Sequence, residues 1–238
     1  MTDAALRGLV VDWGGVLTPS LDAAMSAWAV RDGVTFAHFE AVLRDWARAD
    51  GAPSGGDAPA AGAFAELEQA DDAGPAGRSP VHRIERGEMA VPAFEEALAA
   101  ELAHRGSPVA APGLLRRMLG GLERLEDDMI GLVRRARAAG LRTALLSNSW
   151  GDTYPEQLWD GLFDTLVISG RVGMRKPEPE IFRHTCALLD LPPSACVMVD
   201  DLPRNVTGAV ATGMVGILHT GYARTLEELE ILFGIPLA

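Results

Sequence analysis

The chain has 238 residues, 48% of them hydrophobic and 23% charged, so it can bury a sizeable core as one large domain or as a core with an inserted partner. Its 33 acidic and 21 basic residues give a formal net charge of −12, which argues against nucleic acid or an anionic membrane as partner. No apolar stretch approaches the roughly 20 residues of a membrane helix, and the N-terminus lacks a signal-peptide pattern, which predicts a cytoplasmic protein.

The first predicted element is a short buried strand over Gly8–Asp12, which ends in a carboxylate and runs into a turn at Gly14 and Gly15. Four further apolar runs and three helical patterns alternate towards the C-terminus: strands at 141–147, 165–169, 195–200 and 215–219, and helices at 127–139, 177–189 and 203–212. Strands that alternate with helices in this way predict an α/β fold with a parallel sheet.

The stretch from residue 18 to residue 125, between the first two strands, contains no convincing strand and is too long for one crossover helix. Its amphipathic patterns predict helices at 21–30, 36–49, 61–70, 81–86 and 92–104. We therefore predict an inserted α-helical cap domain over residues 18–125, with an α/β core formed by residues 1–17 and 126–238.

Polar side chains close three of the predicted strands, and in a parallel sheet these strand ends meet at one edge. The residues in question are Asp12, Ser147, Asn148, Asp200 and Asp201. An oxygen-rich cluster of carboxylates suits Mg²⁺, which usually bridges to a phosphate. A carboxylate aimed at a phosphoryl group can also attack it, forming an aspartyl-phosphate that water hydrolyses.

The basic residues are 20 arginines and a single lysine, Lys176, which lies in a loop before a predicted helix. The lysine ammonium is a compact point charge, whereas the arginine guanidinium is a planar fork, so a tight pocket can require the lysine. We predict that Lys176 binds the phosphate and neutralises charge that develops on the transferred group.

Four segments in this order resemble the motifs of the haloacid dehalogenase (HAD) superfamily of phosphatases and related hydrolases. They are VVDWGGVLT, LLSNS, GMRKPEPEIF and VMVDDLPRNVTGA, which begin at residues 10, 145, 173 and 197. The resemblance implies Asp12 as the nucleophile, Ser147, Asn148 and Lys176 as phosphate-binding residues, and Mg²⁺ held by Asp12, Asp200, Asp201 and the main-chain carbonyl of Gly14. It also implies a Rossmann-like sheet of order 5-4-1-2-3, with the helical cap closing over the site.

One position departs from the family pattern, because phosphatases of this family usually carry a second aspartate two residues after the nucleophile, and here that residue is Gly14. That aspartate acts as general acid and then base, a contribution of typically about 10²–10⁴-fold. We therefore expect slow turnover, a preference for good leaving groups, or a substitute acid from the cap.

Three functions are compatible with these residues. The first is a Mg²⁺-dependent phosphatase that acts on a small phosphorylated metabolite through Asp12. The second is a 2-haloacid dehalogenase, in which Asp12 displaces halide without a metal, and the third is a family member that binds a phosphorylated ligand with little turnover. We expect Asn205 to orient the loop after the acidic pair, and the sequence leaves open whether Arg171 and Arg175 touch substrate or solvent. The oligomeric state cannot be read from the sequence.

Overall fold

The computed structural model describes residues 5–49, 79–151, 154, 159 and 161–238, which centre on a five-stranded sheet. Its strands are β1 (Gly8–Val11), β2 (Arg142–Ser147), β3 (Thr165–Ile168), β4 (Cys196–Asp200) and β5 (Val215–Leu218). They are ordered β3-β2-β1-β4-β5, and each neighbouring pair is parallel. The predicted α/β class and the predicted strand order are both confirmed.

The central strand β1 is covered on both faces, as a parallel sheet requires. Leu9 and Val11 point into one hydrophobic cluster and Val10 points into the other, and all three side chains are fully buried. This double burial explains why the strand reads as a continuous apolar run in the sequence.

Between β1 and residue 126, every secondary-structure element that the structure describes is a helix. The helices are α1 (Leu21–Asp32), α2 (Phe36–Ala49), α3 (Pro80–Glu85), α4 (Val91–His104) and α5 (Leu114–Leu119), and a short 3₁₀ helix (Gly120–Glu123) follows. Four of the predicted helices are present, the one at 61–70 lies outside the described residues, and α5 was not predicted from the sequence.

These helices form their own apolar cluster, separate from the two clusters that cover the sheet. Trp28, Phe39 and Phe94 are fully buried in it, and Trp28 meets Phe39 edge to face at 5.4 Å between ring centroids. The structure thus contains a helical insertion after β1, whose exact boundaries stay a prediction.

The remaining helices pack on the sheet: α6 (Asp127–Ala138), α7 (Ser169–Val172), α8 (Pro179–Leu188), α9 (Pro203–Ala211) and α10 (Tyr222–Phe233). The last of these was not predicted, and its Leu229 is fully buried in the cluster that also contains Leu9. Within the described ranges, every helix is too short or too polar to span a bilayer.

Candidate active site

Two neighbouring strands bring the acidic residues together. Val11 of β1 lies beside Val199 of β4, so Asp12 and Asp200 follow at adjacent strand ends, and the Asp12 N–H donates to the carbonyl oxygen of Val199 at 3.0 Å. Asp201 continues the same turn. Carboxylate oxygens of the three aspartates all lie within 4.8 Å of one another. The predicted acidic cluster is therefore present as a geometric unit.

Lys176 lies between two of these carboxylates. Its Nζ is 2.8 Å from Oδ1 of Asp12 and 2.7 Å from Oδ2 of Asp200, and the side chain is 1% exposed. The side chain of Asn148 holds the main chain of Lys176, accepting from its N–H at 2.8 Å and donating to its carbonyl oxygen at 3.0 Å. The one lysine of the chain is thus fixed at both its backbone and its ammonium.

Ser147 closes β2 at the same sheet edge and is 2% exposed. Its Oγ is 2.8 Å from the hydroxyl oxygen of Tyr154, which lies in the following loop and also borders the cavity above the aspartates. Burial raises the pKa of Tyr154, so the phenol stays protonated and can donate. Sequence reasoning missed Tyr154, since nothing marks a lone loop tyrosine beyond its position seven residues after Ser147.

The loop after β4 orients Asp200. Its Oδ1 accepts from the N–H of Leu202 and from Nδ2 of Asn205, both at 3.0 Å. The side-chain amide of Asn205 is buried and stabilises the turn that presents the acidic pair. This is the positioning role that the sequence predicted for Asn205.

The loop after β1 needs glycine where it meets Asp201. Gly15 has a φ of +72°, a left-handed conformation that favours glycine, and a Cβ at this position would lie 2.0 Å from Oδ2 of Asp201. Gly14, which also borders the cavity, is different, because a Cβ there would have no neighbouring atom within 4 Å. The position of the missing second aspartate therefore has room for a side chain.

Burial dominates the electrostatics of the cluster. It raises the pKa of Asp12 to about 7, against the opposing attraction of Lys176, and raises the pKa of Asp201 to about 8, with Asp12 and Asp200 adding repulsion. Burial alone would lower the pKa of Lys176, but the two adjacent carboxylates outweigh it and raise that pKa. The lysine is a permanent cation, whereas the carboxylates need more positive charge to stay ionised.

The cluster fits a divalent cation. Three ionised aspartates and one lysine leave a net charge of −2, which a single Mg²⁺ would neutralise. Carboxylate and main-chain oxygens are the ligands that Mg²⁺ prefers. Burial raises the pKa values of Asp12 and Asp201, and a divalent cation bound between these carboxylates would lower both.

A buried ion pair joins the helical insertion to the core beside the site. Glu85 of α3 pairs with Arg175, with Nε and Oε2 at 2.6 Å, and the side chains are 3% and 0% exposed. The indole N–H of Trp150 donates to the other oxygen of Glu85 at 3.1 Å. Arg175 is therefore not a surface charge, and Glu85, which borders the cavity, was not found from the sequence.

Glu85 does not suit the role of a substitute general acid. Burial would raise the pKa of Glu85, but the charges of Arg175 and His82 outweigh that effect and lower it. The carboxylate is thus ionised and committed to the ion pair at neutral pH.

A family model of haloacid dehalogenase-like hydrolases matches residues 6–213. The chain belongs to this family, which confirms the predicted resemblance and the prediction of a HAD-like hydrolase.

Among curated relatives, a sesquiterpene phosphatase of Aspergillus oryzae is 30% identical over 157 residues, which cover 64% of this chain and 78% of that protein. Acyl-CoA dehydrogenase family member 10 of Mus musculus is 29% identical over 97% of this chain, but the match spans only 19% of that longer protein.

Solved structures share the fold. A dehalogenase with an intermediate complex superposes with a TM-score of 0.60 at 21% identity, covering 99% of this chain and 100% of that one. A HAD family enzyme of Bacteroides thetaiotaomicron, in complex with magnesium and inorganic phosphate, superposes with a TM-score of 0.55 at 16% identity, covering 90% and 93% of the two chains. Similarity at this level supports the architecture alone.

Proposed function

We propose that the protein is a Mg²⁺-dependent phosphatase that hydrolyses a small phosphorylated molecule through an aspartyl-phosphate on Asp12. The observation that carries the proposal is the cluster of charged side chains at the bottom of the cavity, which we call the floor. Lys176 pairs there with both Asp12 and Asp200, and Asp201 lies close enough for the three carboxylates to bind one metal ion. The similarity to a sesquiterpene phosphatase supports a phosphatase over other reactions of the family.

Asp12 is prepared for attack by the contacts of one oxygen. Its Oδ1 accepts from Nζ of Lys176 at 2.8 Å and from the N–H of Trp13 at 2.6 Å, and in this proposal Oδ2 is the atom that attacks the phosphorus. The new bond forms between Oδ2 and phosphorus while the ester P–O bond breaks, and the alcohol leaves after its oxygen takes a proton from water, since Gly14 has none to give. Water then attacks the phosphorus, and the P–O bond to Asp12 breaks to return the carboxylate and inorganic phosphate.

The other predicted residues have distinct roles in this proposal. Ser147 and Lys176 donate to the phosphate oxygens. Asn148 was also predicted to bind phosphate, but both polar atoms of its side chain bond the main chain of Lys176, so we assign it the role of positioning Lys176. Asp12, Asp200, Asp201 and the carbonyl of Gly14 would hold Mg²⁺. The bound ion supplies positive charge that keeps the carboxylates ionised and balances the phosphate.

The test is phosphate release from small phosphate esters and p-nitrophenyl phosphate, with Mg²⁺ or with a chelator. We expect Mg²⁺-dependent release that Asp12→Asn lowers on the order of 10⁴-fold or more, as for other enzymes that lose their nucleophile. Asp128→Asn is the matched control, since Asp128 is an exposed residue of α6. Full activity of Asp12→Asn would contradict the proposal.

A 2-haloacid dehalogenase is the second candidate, and Gly14 favours it because those enzymes also lack the second aspartate. The close pair formed by Asp200 and Asp201 favours phosphate and metal instead. Halide release from 2-haloacids that is unaffected by a chelator would reverse the ranking. Tight binding of a phosphate ester with no phosphate released over hours would favour the third alternative, a family member that binds a phosphorylated ligand with little turnover.

A further inference from the structure

The cavity above the aspartates is far larger than a phosphate and changes character with distance from them. Its volume is about 440 Å³, within the range of roughly 300–1,000 Å³ typical of small-molecule sites. The floor carries Asp12, Lys176 and Asp201. The rest of the lining is dominated by large apolar side chains: Trp13, Leu21, Leu119, Leu122, Trp150 and Leu202.

Three of these leucines come from the helical insertion and stay partly uncovered. Leu21 begins α1, Leu119 ends α5, and Leu122 lies in the 3₁₀ helix that packs against α1. Neighbouring residues of the same helices are fully buried in the cluster of the insertion, for example Met25 and Met118. Leu21 and Leu119 also pack against the edge of that cluster, and the parts of the three leucines that stay uncovered add apolar surface to the cavity.

Most polar groups of the described lining are bonded to other residues or lie in solvent, and the exception is the buried Oδ1 of Asn205 beside the floor. The Ser20 hydroxyl accepts from the N–H of Ala23 as the cap of α1, and Glu85 is paired with Arg175. The charged side chains of the lining that remain above the floor are solvent-exposed: Asp22, Arg116 and Glu123. A sugar or polyol bound here would leave its hydroxyl groups without buried partners, which opposes binding.

We propose that the organic part of the substrate is a hydrocarbon group, bound between Leu21, Leu119, Leu122 and Trp150 while the phosphate lies on the floor. The inference rests on the proposed function for the phosphate end only. Apolar walls beside a charged floor select an amphiphilic monoester with its charge at one end.

Binding of n-alkylphosphonates from propyl to octyl tests this without turnover, because the C–P bond is not hydrolysed. Calorimetric titration with Mg²⁺ present should show affinity rising at least twofold per added methylene, up to about fourfold for complete burial. The phosphonate analogue of glycerol phosphate serves as the polar comparison and should bind more weakly than octylphosphonate. Affinity that is flat or falls with chain length would overturn the proposal.

A pair of variants locates the hydrocarbon. Leu122→Gln should reduce the gain in affinity from propyl to octyl several-fold, because it places an amide in the apolar wall. Leu188→Gln is the matched control, since Leu188 is 46% exposed on α8 and does not border the cavity. Equal effects of the two substitutions would overturn the placement.

Turnover of 4-alkylphenyl phosphates separates this inference from the proposed function. Their phenol leaving groups share a pKa of about 10, so the length of the alkyl group changes binding and little else. Phosphate release at a kcat/KM independent of the alkyl group would sustain the phosphatase and overturn the hydrocarbon site. If no ester releases phosphate but phosphonate affinity still rises with chain length, the phosphatase proposal is overturned and the hydrocarbon site is sustained.

Discussion

The two ends of the cavity use buried charge in different ways. At the floor, Lys176 faces Asp12 and Asp200 with one negative charge in excess, and Asp201 adds a second. At the side of the cavity, where the helical insertion meets the core, the opposite charges of Glu85 and Arg175 balance each other. An unbalanced cluster attracts a cation and a reacting group, whereas a balanced pair joins two parts of the fold. Both groups of charges are buried, so the balance of charge is what distinguishes the candidate catalytic cluster from the structural ion pair.

The largest expected effect comes from breaking the balanced pair. Glu85→Gln removes the charge that compensates Arg175, and leaving one buried partner uncompensated typically costs about 3–5 kcal/mol. For a chain of this size we expect the Tm to fall by roughly 10 °C. Thermal unfolding of the whole chain measures the difference.

The matched control for that variant is Glu228→Gln, which breaks the exposed pair of α10 between Arg224 and Glu228. We expect little or no change in Tm there, because solvent screens an exposed pair. Replacing the buried pair by Glu85→Leu and Arg175→Met together should recover much of the stability, since apolar replacements of a buried pair are often neutral. If Glu85→Gln lowers the Tm no more than the control does, the structural role of Glu85 and Arg175 is refuted.

The second prediction adds charge to the floor. Gly14→Asp places a carboxyl where the structure has open space, and the family pattern predicts that it acts as general acid. We expect about a 10²-fold gain in phosphate release from alkyl esters, the lower end of typical general acid catalysis, and a smaller gain with p-nitrophenyl phosphate. Gly14→Asn is the control, because it has the same size without a proton to give. Equal gains from both variants would exclude proton transfer as the cause.

The floor was predictable from the sequence because parallel strands deliver their ends to one edge. Asp12, Ser147 and Asp200 each terminate a recognisable apolar run, so their convergence followed from the fold class alone. The strand order was predicted as well, through the resemblance to the HAD superfamily.

The ion pair formed by Glu85 and Arg175 was not predictable in the same way. Glu85 and Arg175 are 90 residues apart, and their pairing depends on how the insertion packs on the core. No local pattern encodes such a contact. Tyr154 lies close to Ser147 in the sequence and was missed because nothing distinguishes a lone loop tyrosine from other loop residues. The helix α5 was missed because it is a short element within a loop-rich stretch, yet it supplies Leu119 to the cavity.

The smallest predicted effect tests whether the floor needs its tight packing. In Gly15→Ala the new methyl group would lie 2.0 Å from Oδ2 of Asp201, so the carboxylate must shift from its present position. We expect Mg²⁺ affinity to fall about tenfold, as for substitutions that disturb the support of a metal ligand. Titration calorimetry with Mg²⁺ provides the measurement.

The control variant Gly33→Ala has the same left-handed strain, with a φ of +71°, but its methyl group would meet nothing within 4 Å. It should destabilise the fold by about 1–2 kcal/mol and leave Mg²⁺ affinity unchanged. If Gly15→Ala binds Mg²⁺ as tightly as the native chain does, Asp201 is not a ligand of the ion, and Asp12 and Asp200 hold it without Asp201.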